Sequence, residues 1–366
     1  MSKPVAIYFF QYLPPWRIDV FNEMANHYQL TLVFWNADCE GFTYNRQELL
    51  SKLNSSIEVI FLQSGINAGT HSIRLGVTRL ILQRNPQVVF SHEYAPISMQ
   101  CALIKRLGIC EYKLVITTSD NLYMAKQVSG LKSVVRRRIL RYADKVILYS
   151  PKVEDWYTAQ FPFIKTAVCP NIQNPQSLLA YKDLFPPIIR QYKSRYNLNE
   201  SKILLYVGRI THVKGLDLLL QSFYRVKHEG WKIVLVGDGD ERASLMRMAD
   251  DLGIAVDVVF ADFCSAKYLY AWYYLANCFV LPSRYEPYGA VVNEALVYGC
   301  PVLASKYIGA LDMINESNGM VFDPNDSDDI DSTLSRAMQR YNRAERIREN
   351  RMPYSFGECV SVYMQI

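Results

Sequence analysis

Short, wholly apolar runs recur along this chain and alternate with longer stretches whose apolar positions fall every three or four residues. Val5 to Phe10, Val88-Val89-Phe90, Val115-Ile116-Thr117-Thr118, Ile203 to Val207, Ile233 to Val236 and Cys278 to Leu281 read as buried strands. Leu216, Leu219, Leu220 and Phe223 carry the helical period, and the apolar-rich run from Ala290 to Val297 reads as a second helix. Strands and helices alternate on both sides of a connecting region around Asn171 to Ser201, which is broken at Phe185-Pro186-Pro187. The pattern predicts an α/β protein of two Rossmann-like, doubly wound parallel-sheet domains facing each other across a cleft. Ligands of such sheets are met at the carboxyl ends of the strands.

The richest chemistry follows the strand Cys278 to Leu281. Pro282 and Pro287 break the backbone, Glu286 sits in the turn, and Glu294 lies eight positions further on, inside the next helix. Gly289 opens that helix without a Cβ, so the N–H groups of the first turn, at Gly289, Ala290 and Val291, and the positive end of the helix dipole can face a phosphate. Carboxylates accept hydrogen bonds from hydroxyl pairs. One in the turn suits a sugar and one on the helix suits a ribose, with a diphosphate between them.

Upstream, the strand Ile203 to Val207 runs into Gly208-Arg209-Ile210-Thr211-His212-Val213-Lys214-Gly215 and then into the periodic helix. Arg209 offers a planar fork for phosphate oxygens, and Lys214 offers a compact charge five residues on. A solvated basic loop would read the same way, and the Glu286/Glu294 pair is what favours a site. The strand Ile233 to Val236 enters a Gly237-Asp238-Gly239 turn, which by itself only connects a strand to a helix.

In this order, Gly208-Arg209 with Lys214-Gly215, Val236-Gly237-Asp238-Gly239, Glu286-Pro287-Tyr288-Gly289 with Glu294-Ala295, Gly299-Cys300-Pro301-Val302 and Asn318-Gly319-Met320-Val321-Phe322-Asp323-Pro324 resemble glycosyltransferase family 4, retaining sugar transferases of the GT-B fold. The resemblance covers roughly residues 201 to 335. It implies an N-terminal acceptor-side domain over 1–172, a linker over 173–200, a nucleotide-sugar domain over 201–349, and a last helix over about 350–366 crossing back to the first domain. It also implies catalytic and phosphate-binding roles for Arg209 and Lys214, Glu286 (with Tyr288) at the donor sugar, Glu294 at the ribose, and main-chain contacts to the base near Phe260-Ala261-Asp262-Phe263. The N-terminal half departs from the family. Where many members have a glycine pair, Gln11-Tyr12-Leu13-Pro14-Pro15-Trp16-Arg17 has none, and Arg17 becomes a candidate charge for donor or acceptor. His92 and Asp120 are the candidates for the histidine that members place beside the donor sugar.

With 366 residues, 50% of them hydrophobic, the chain can bury two cores. Eight cysteines, Cys39, Cys101, Cys110, Cys169, Cys264, Cys278, Cys300 and Cys359, include no C-x-x-C pair and read as buried thiols of a reducing compartment. No Cys/His spacing suits a metal, so no cofactor is expected and the nucleotide-sugar is a substrate. The start has no signal-peptide pattern and nowhere do eighteen apolar residues run together, which predicts a cytoplasmic protein that does not span a membrane.

Charge is concentrated in one place. The chain carries +5, yet residues 126–145 hold Lys126, Lys132, Arg136, Arg137, Arg138, Arg141 and Lys145 against Asp144 alone. Val128, Leu131, Val135 and Ile139 recur at helical spacing, which predicts a basic amphipathic helix with its cations away from the core, suited over Lys132 to Arg141 to peripheral contact with anionic headgroups or a diphosphate-bearing lipid. No nucleic-acid motif accompanies it. The aromatic run Tyr268, Tyr270, Trp272, Tyr273 and Tyr274 reads as core without a site role.

The mechanism that the resemblance implies is transfer of a sugar from a UDP- or GDP-sugar to an acceptor hydroxyl with retention of anomeric configuration, and by the same family analogy the acceptor is a lipid-linked oligosaccharide or an envelope polysaccharide precursor such as lipopolysaccharide or capsule. An epimerase or phosphorylase on the same fold would act without an acceptor alcohol. A non-catalytic nucleotide-binding scaffold at a membrane would keep the fold without the chemistry.

Overall fold

A computed structural model describes residues 2–36, 45–68, 71–226, 229–264, 266–342 and 348–366. The chain divides into two compact units, Met1–Gln173 with Ser355–Ile366, and Asn174–Tyr354. Of residues 173–200, expected as a linker, all but Gln173 are instead built into the second unit. Pro175–Leu179 and Phe185–Arg195 are helical, and the latter packs on the helix Ala266–Leu275, where Tyr192 and Trp272 stack at 4.1 Å. Phe185-Pro186-Pro187 is therefore the start of a helix, where Pro at the first positions loses no hydrogen bond.

In the first unit β1 (Val5–Phe10), β2 (Gln29–Phe34), β3 (Glu58–Phe61), β6 (Val88–His92), β7 (Lys113–Thr117), β8 (Lys145–Leu148) and β9 (Lys165–Val168) form one sheet in the order β3-β2-β1-β6-β7-β8-β9; β4 (Gly65–Ala68) and β5 (His71–Arg74) are a separate antiparallel hairpin. All pairs in the large sheet are parallel. Helices cover both faces, so Ala6 to Phe9 are fully buried and the strand must be apolar on both sides. The second unit repeats the plan with β10 (Lys202–Val207), β11 (Trp231–Val236), β12 (Val258–Ala261), β13 (Cys278–Leu281), β14 (Val302–Ser305) and β15 (Gly319–Phe322) in the order β12-β11-β10-β13-β14-β15, again all parallel.

Each sheet reverses its strand order once, between β1 and β6 and between β10 and β13. In doubly wound sheets a crevice opens at that reversal, beyond the carboxyl ends of the two strands, because their following helices go to opposite faces. The loops after β10 and β13 are those carrying Arg209, Lys214 and Glu286.

The last helix is shorter than expected, Phe356–Ser361, and belongs to the first unit. Val360 and Tyr363 are fully buried there, Tyr28 donates its hydroxyl to the Tyr363 carbonyl at 2.8 Å, and Lys145 Nζ donates to the carbonyls of Val362 (3.2 Å) and Gln365 (2.8 Å). Seven cysteines are free; five are buried and Cys264 and Cys359 are half-buried, while Cys39 lies outside the described residues.

Candidate functional site

The loop after β10 turns through the short 3-10 segment His212–Lys214 and ends at Gly215, which is left-handed (φ 66). A side chain there would collide with the carbonyl of Pro282, so glycine lets this loop lie directly on the one after β13. The two loops are then tied together. Arg284 donates its amide to Val213 O (2.9 Å) and its Nη1 to His212 O (2.8 Å), and its fork grips Asp217 with both bonds at 2.7 Å. Burial alone would raise the Asp217 carboxyl; the Arg284 fork outweighs it and holds Asp217 below the usual carboxylate range.

That scaffold brings Lys214 against Glu286, where Lys214 Nζ donates to Glu286 Oε2 in an ion pair whose side chains are only 12% and 15% exposed. The Glu286 backbone is fixed from the other side, its amide donating to Tyr307 O (3.2 Å) and its carbonyl accepting from Gly309 N (3.1 Å). Arg209 stands exposed on the same loop as Lys214. Gly289, in the left-handed region (φ 96), caps the helix Ala290–Val297, and no side chain caps this N-terminus. The first turn therefore keeps donors available to an anion.

Glu294, on that helix, accepts from Tyr273 Oη at 2.9 Å, and burial pushes its carboxyl up to about 7. Tyr273, read from sequence as core alone, is thus the immediate partner of a candidate site residue. Tyr288 differs from expectation in the other direction. It is buried and its hydroxyl meets Met313 Sδ at 3.8 Å, so its ring supports the turn from within rather than facing a ligand.

In the first unit, Arg17 requires a correction. The side chain is 0% exposed, hydrogen-bonded through Nη2 to Tyr363 Oη, with its guanidinium 5.5 Å from the Tyr363 ring and 5.8 Å from that of Tyr149. A group sealed in this way does not reach donor or acceptor; it anchors the C-terminal segment. His92 ends β6 and stacks on Phe10 (3.9 Å), with Nδ1 3.0 Å from Thr117 Oγ1 and Nε2 3.4 Å from Glu93 Oε1. Burial, aided by the Arg17 charge, pushes its pKa down to about 3, so the ring is neutral. Asp120 is buried, accepts from Tyr157 Oη at 3.3 Å and lies 3.9 Å from Arg136; burial and the nearby Glu93 push it up to about 7.

Glu93 is the residue that sequence reading missed. It has a left-handed backbone (φ 62) and its carboxylate accepts from Thr118 Oγ1 (2.9 Å), Ser119 N (2.8 Å) and Ser119 Oγ (2.6 Å), joining the ends of β6 and β7 and touching His92. A non-glycine residue held in that conformation is a mark of local over-determination. The one available signal was a carboxylate placed directly after an apolar strand.

The basic segment also needs correction. It forms two helices, Leu122–Gln127 and Gly130–Tyr142, and Arg136 is not on the outer face: it is buried among Trp156, Tyr157 and Phe161 and donates to Ala125 O at 3.0 Å. Leu131, expected in the core stripe, is 79% exposed. Among the described residues no group of three or more His, Cys, Asp or Glu has metal-binding geometry, and no helix is long and apolar enough to cross a membrane.

Residues 189–352 match the family model described as glycosyl transferases group 1. An uncharacterized glycosyltransferase of Methanocaldococcus jannaschii is 33% identical over 154 residues, 42% of this chain and 40% of that protein, so the likeness spans about two fifths of the relative. A GDP-mannose-dependent alpha-(1-6)-phosphatidylinositol monomannoside mannosyltransferase of Mycolicibacterium smegmatis is 25% identical over 285 residues, 73% of this chain and 71% of that protein. Among solved structures, an Anabaena protein in complex with UDP and glucose superposes with a TM-score of 0.73 at 17% identity, covering 99% of this chain and 98% of that one. The fold is that of the GT-B glycosyltransferases, and the group 1 likeness lies in the second unit.

Proposed function

We propose that the protein is a retaining glycosyltransferase of the family 4 type that moves a sugar from a UDP- or GDP-sugar to an acceptor hydroxyl on a lipid-linked glycan or envelope polysaccharide precursor. The observation that carries this reading is the convergence of Lys214, Glu286 and the uncapped helix at Gly289 on the strand-order reversal of the second sheet, within the residues that match group 1. The mannosyltransferase likeness supports a lipid-borne acceptor and the Anabaena likeness a uridine donor, and the two leave the base to experiment.

In this reading the bond between the anomeric carbon and the diphosphate breaks while the acceptor oxygen bonds to the same face of that carbon. The acceptor proton passes to the leaving phosphate oxygen. The charge that develops on the diphosphate is met by Arg209, Lys214 and the N–H groups of Gly289, Ala290 and Val291, so the stabilisation grows as the transition state forms. Lys214 is held by Glu286 before donor arrives; exchanging that carboxylate for the diphosphate frees Glu286 for the sugar hydroxyls. Glu294 takes the ribose hydroxyls in place of Tyr273. No metal enters the scheme, and the work is done at the cytoplasmic face of a membrane.

Calorimetric titration with UDP, GDP and ADP, repeated on Lys214→Ala, tests the site. One nucleotide should bind tightly and lose affinity in the variant. No binding of any of the three would overturn the nucleotide site, tight binding without turnover of any donor would favour the scaffold reading, and donor turnover without an added acceptor would favour an epimerase.

A further inference from the structure

Three neighbouring strands of the first sheet each begin with a lysine: Lys113 opens β7, Lys145 opens β8 and Lys165 opens β9. Lys145 and Lys165 are register partners, and Lys145 is also paired with Val115, two residues past Lys113. Residues two apart on a strand share a face, so the three side chains leave the sheet on the same side. They line a cavity of about 440 Å³ together with Thr158, Thr166 and Gln365. The cavity lies at the amino ends of these strands, the opposite end from the crevice at the strand-order reversal.

The charge of this cavity is not balanced. Asp144 is the acidic side chain on its wall, and that carboxylate is already engaged: Lys105 Nζ and the Leu114 amide (2.7 Å) both donate to Oδ2, while Oδ1 lies 4.0 Å from Lys113. Lys145 gives two of its three donors to Val362 O (3.2 Å) and Gln365 O (2.8 Å). Among the described residues neither Lys145 nor Lys165 pairs with a carboxylate. Like charges set directly across two strands repel. Burial and the Lys165 charge together hold the Lys145 ammonium below its usual range.

A lysine on β9 alone would guard an edge strand against pairing, but β7 and β8 lie inside the sheet, and an edge guard needs no cavity behind it. An anion seated among the three lysines removes the repulsion, and the threonine hydroxyls and the Gln365 amide supply donors for its remaining oxygens. A chloride would fill little of the volume, which is that of a small-molecule pocket. We propose that this cavity binds a soluble oxyanion of the phosphate class, the size of inorganic diphosphate or a phosphorylated small molecule, between Lys113, Lys145 and Lys165. The same Lys145 ammonium holds the main chain of the C-terminal segment, and Gln365 forms part of the wall, so the site is complete only while that segment is docked. Occupancy and docking are therefore linked. The proposal goes beyond the transferase reading and does not lean on it, since neither donor nor acceptor enters the measurement.

The test follows amide hydrogen exchange of residues 356–366 in the whole chain as inorganic diphosphate is added. At about ten times its dissociation constant, diphosphate should slow exchange of this segment about tenfold in the wild type. The variant Lys113→Gln/Lys165→Gln changes two exposed positions and leaves the Lys145 bonds in place. It should need about a hundredfold more diphosphate for the same protection, at about tenfold for each charge-assisted contact. A melting curve matching the wild type establishes that this variant is folded. Lys214→Ala should need no more diphosphate than the wild type, which separates this cavity from the phosphate site of the second unit. No protection in the wild type, an unchanged response in the double lysine variant, protection abolished by Lys214→Ala, equal protection by chloride at the same ionic strength, or protection by phosphatidylglycerol vesicles and not by diphosphate would each overturn it.

Discussion

Lys214 and Glu286, 72 residues apart in the chain, are each other's counter-ion, in a setting where both side chains are nearly buried. A cation and a carboxylate that would each bind a different part of the donor thus neutralise one another when no donor is present. The arrangement avoids leaving a lone charge in a poorly solvated crevice, which would cost several kcal/mol. Lys214→Ala should therefore have two separable effects. Nucleoside diphosphate affinity should fall about 10- to 100-fold, the worth of one charge-assisted contact, and the melting temperature should also fall because Glu286 is left unpaired. Adding Glu286→Gln should restore the melting temperature and not the affinity. A double variant that recovers both would remove Lys214 from the phosphate site.

The Asp217–Arg284 pair holds the loop after β10 against the loop after β13. Arg284→Ala should weaken nucleotide binding by roughly tenfold through misplacement of Lys214, since a fork of two charge-assisted bonds contributes about 1.5–3 kcal/mol. Arg284→Lys should recover only part of this, because an ammonium cannot make both bonds in one plane. Titration calorimetry on both variants reads the effect. Equal affinity in Arg284→Ala and wild type would mean that Gly215 and the backbone bonds alone hold the loop.

Glu294 makes stability depend on pH. Its folded-state pKa is raised, to about 7, above the ordinary carboxylate value of about 4.5, by burial, which outweighs the opposing hydrogen bond from Tyr273. For a raised acid, the folded state keeps a proton that the unfolded state has lost. The contribution is then fully present below pH about 4.5 and disappears as the pH rises through 7, a difference of up to about 3 kcal/mol. Glu294→Gln removes this dependence. Denaturant titrations at pH 5 and pH 8 should show the variant gaining on the wild type at the higher pH. Asp120, also raised, stays in both proteins and cancels in the comparison. A variant no better at pH 8 than at pH 5 would show that Glu294 ionises freely in the fold.

What could be read in the sequence was whatever depends on neighbours in the chain. β1, β10, β11 and β13 and the helix Ala290–Val297 are local apolar patterns, and the loop chemistry of Arg209, Lys214 and Glu286 lies within a few residues of those strands. The misreadings share a different cause. Arg17 looks like a surface arginine in the first turn of a helix, and its burial is decided by Tyr363, which lies 346 positions away. Arg136 sits between Arg137 and Arg138 in a run that looks uniformly solvated, and its aromatic cage comes from Trp156, Tyr157 and Phe161 on another element. Glu93 depends on a left-handed backbone that no periodicity announces. The Pro-rich start at Phe185 reads as a break because Pro begins helices as readily as it ends them.

Arg17 also allows a test of what the C-terminal segment does. Among the described residues the Arg17 guanidinium has no carboxylate in contact and its Nε and Nη1 have no hydrogen-bond partner, while the Tyr363 hydroxyl takes the bond from Nη2. An ionised group so placed is worth most when every bond is kept, and removing one partner costs more than removing both. Tyr363→Phe should destabilise the protein by about 2–3 kcal/mol, the cost of stranding a bond to a buried charge. Arg17→Met with Tyr363→Phe should be less destabilised than Tyr363→Phe alone, since a methionine fills similar volume without a charge to solvate. Denaturant midpoints of the two variants decide the matter. If the double variant is the weaker by the sum of two single losses, then Arg17 is stabilised by the faces of Tyr149 and Tyr363 more than by the hydroxyl, and the segment is held by packing rather than by its charge.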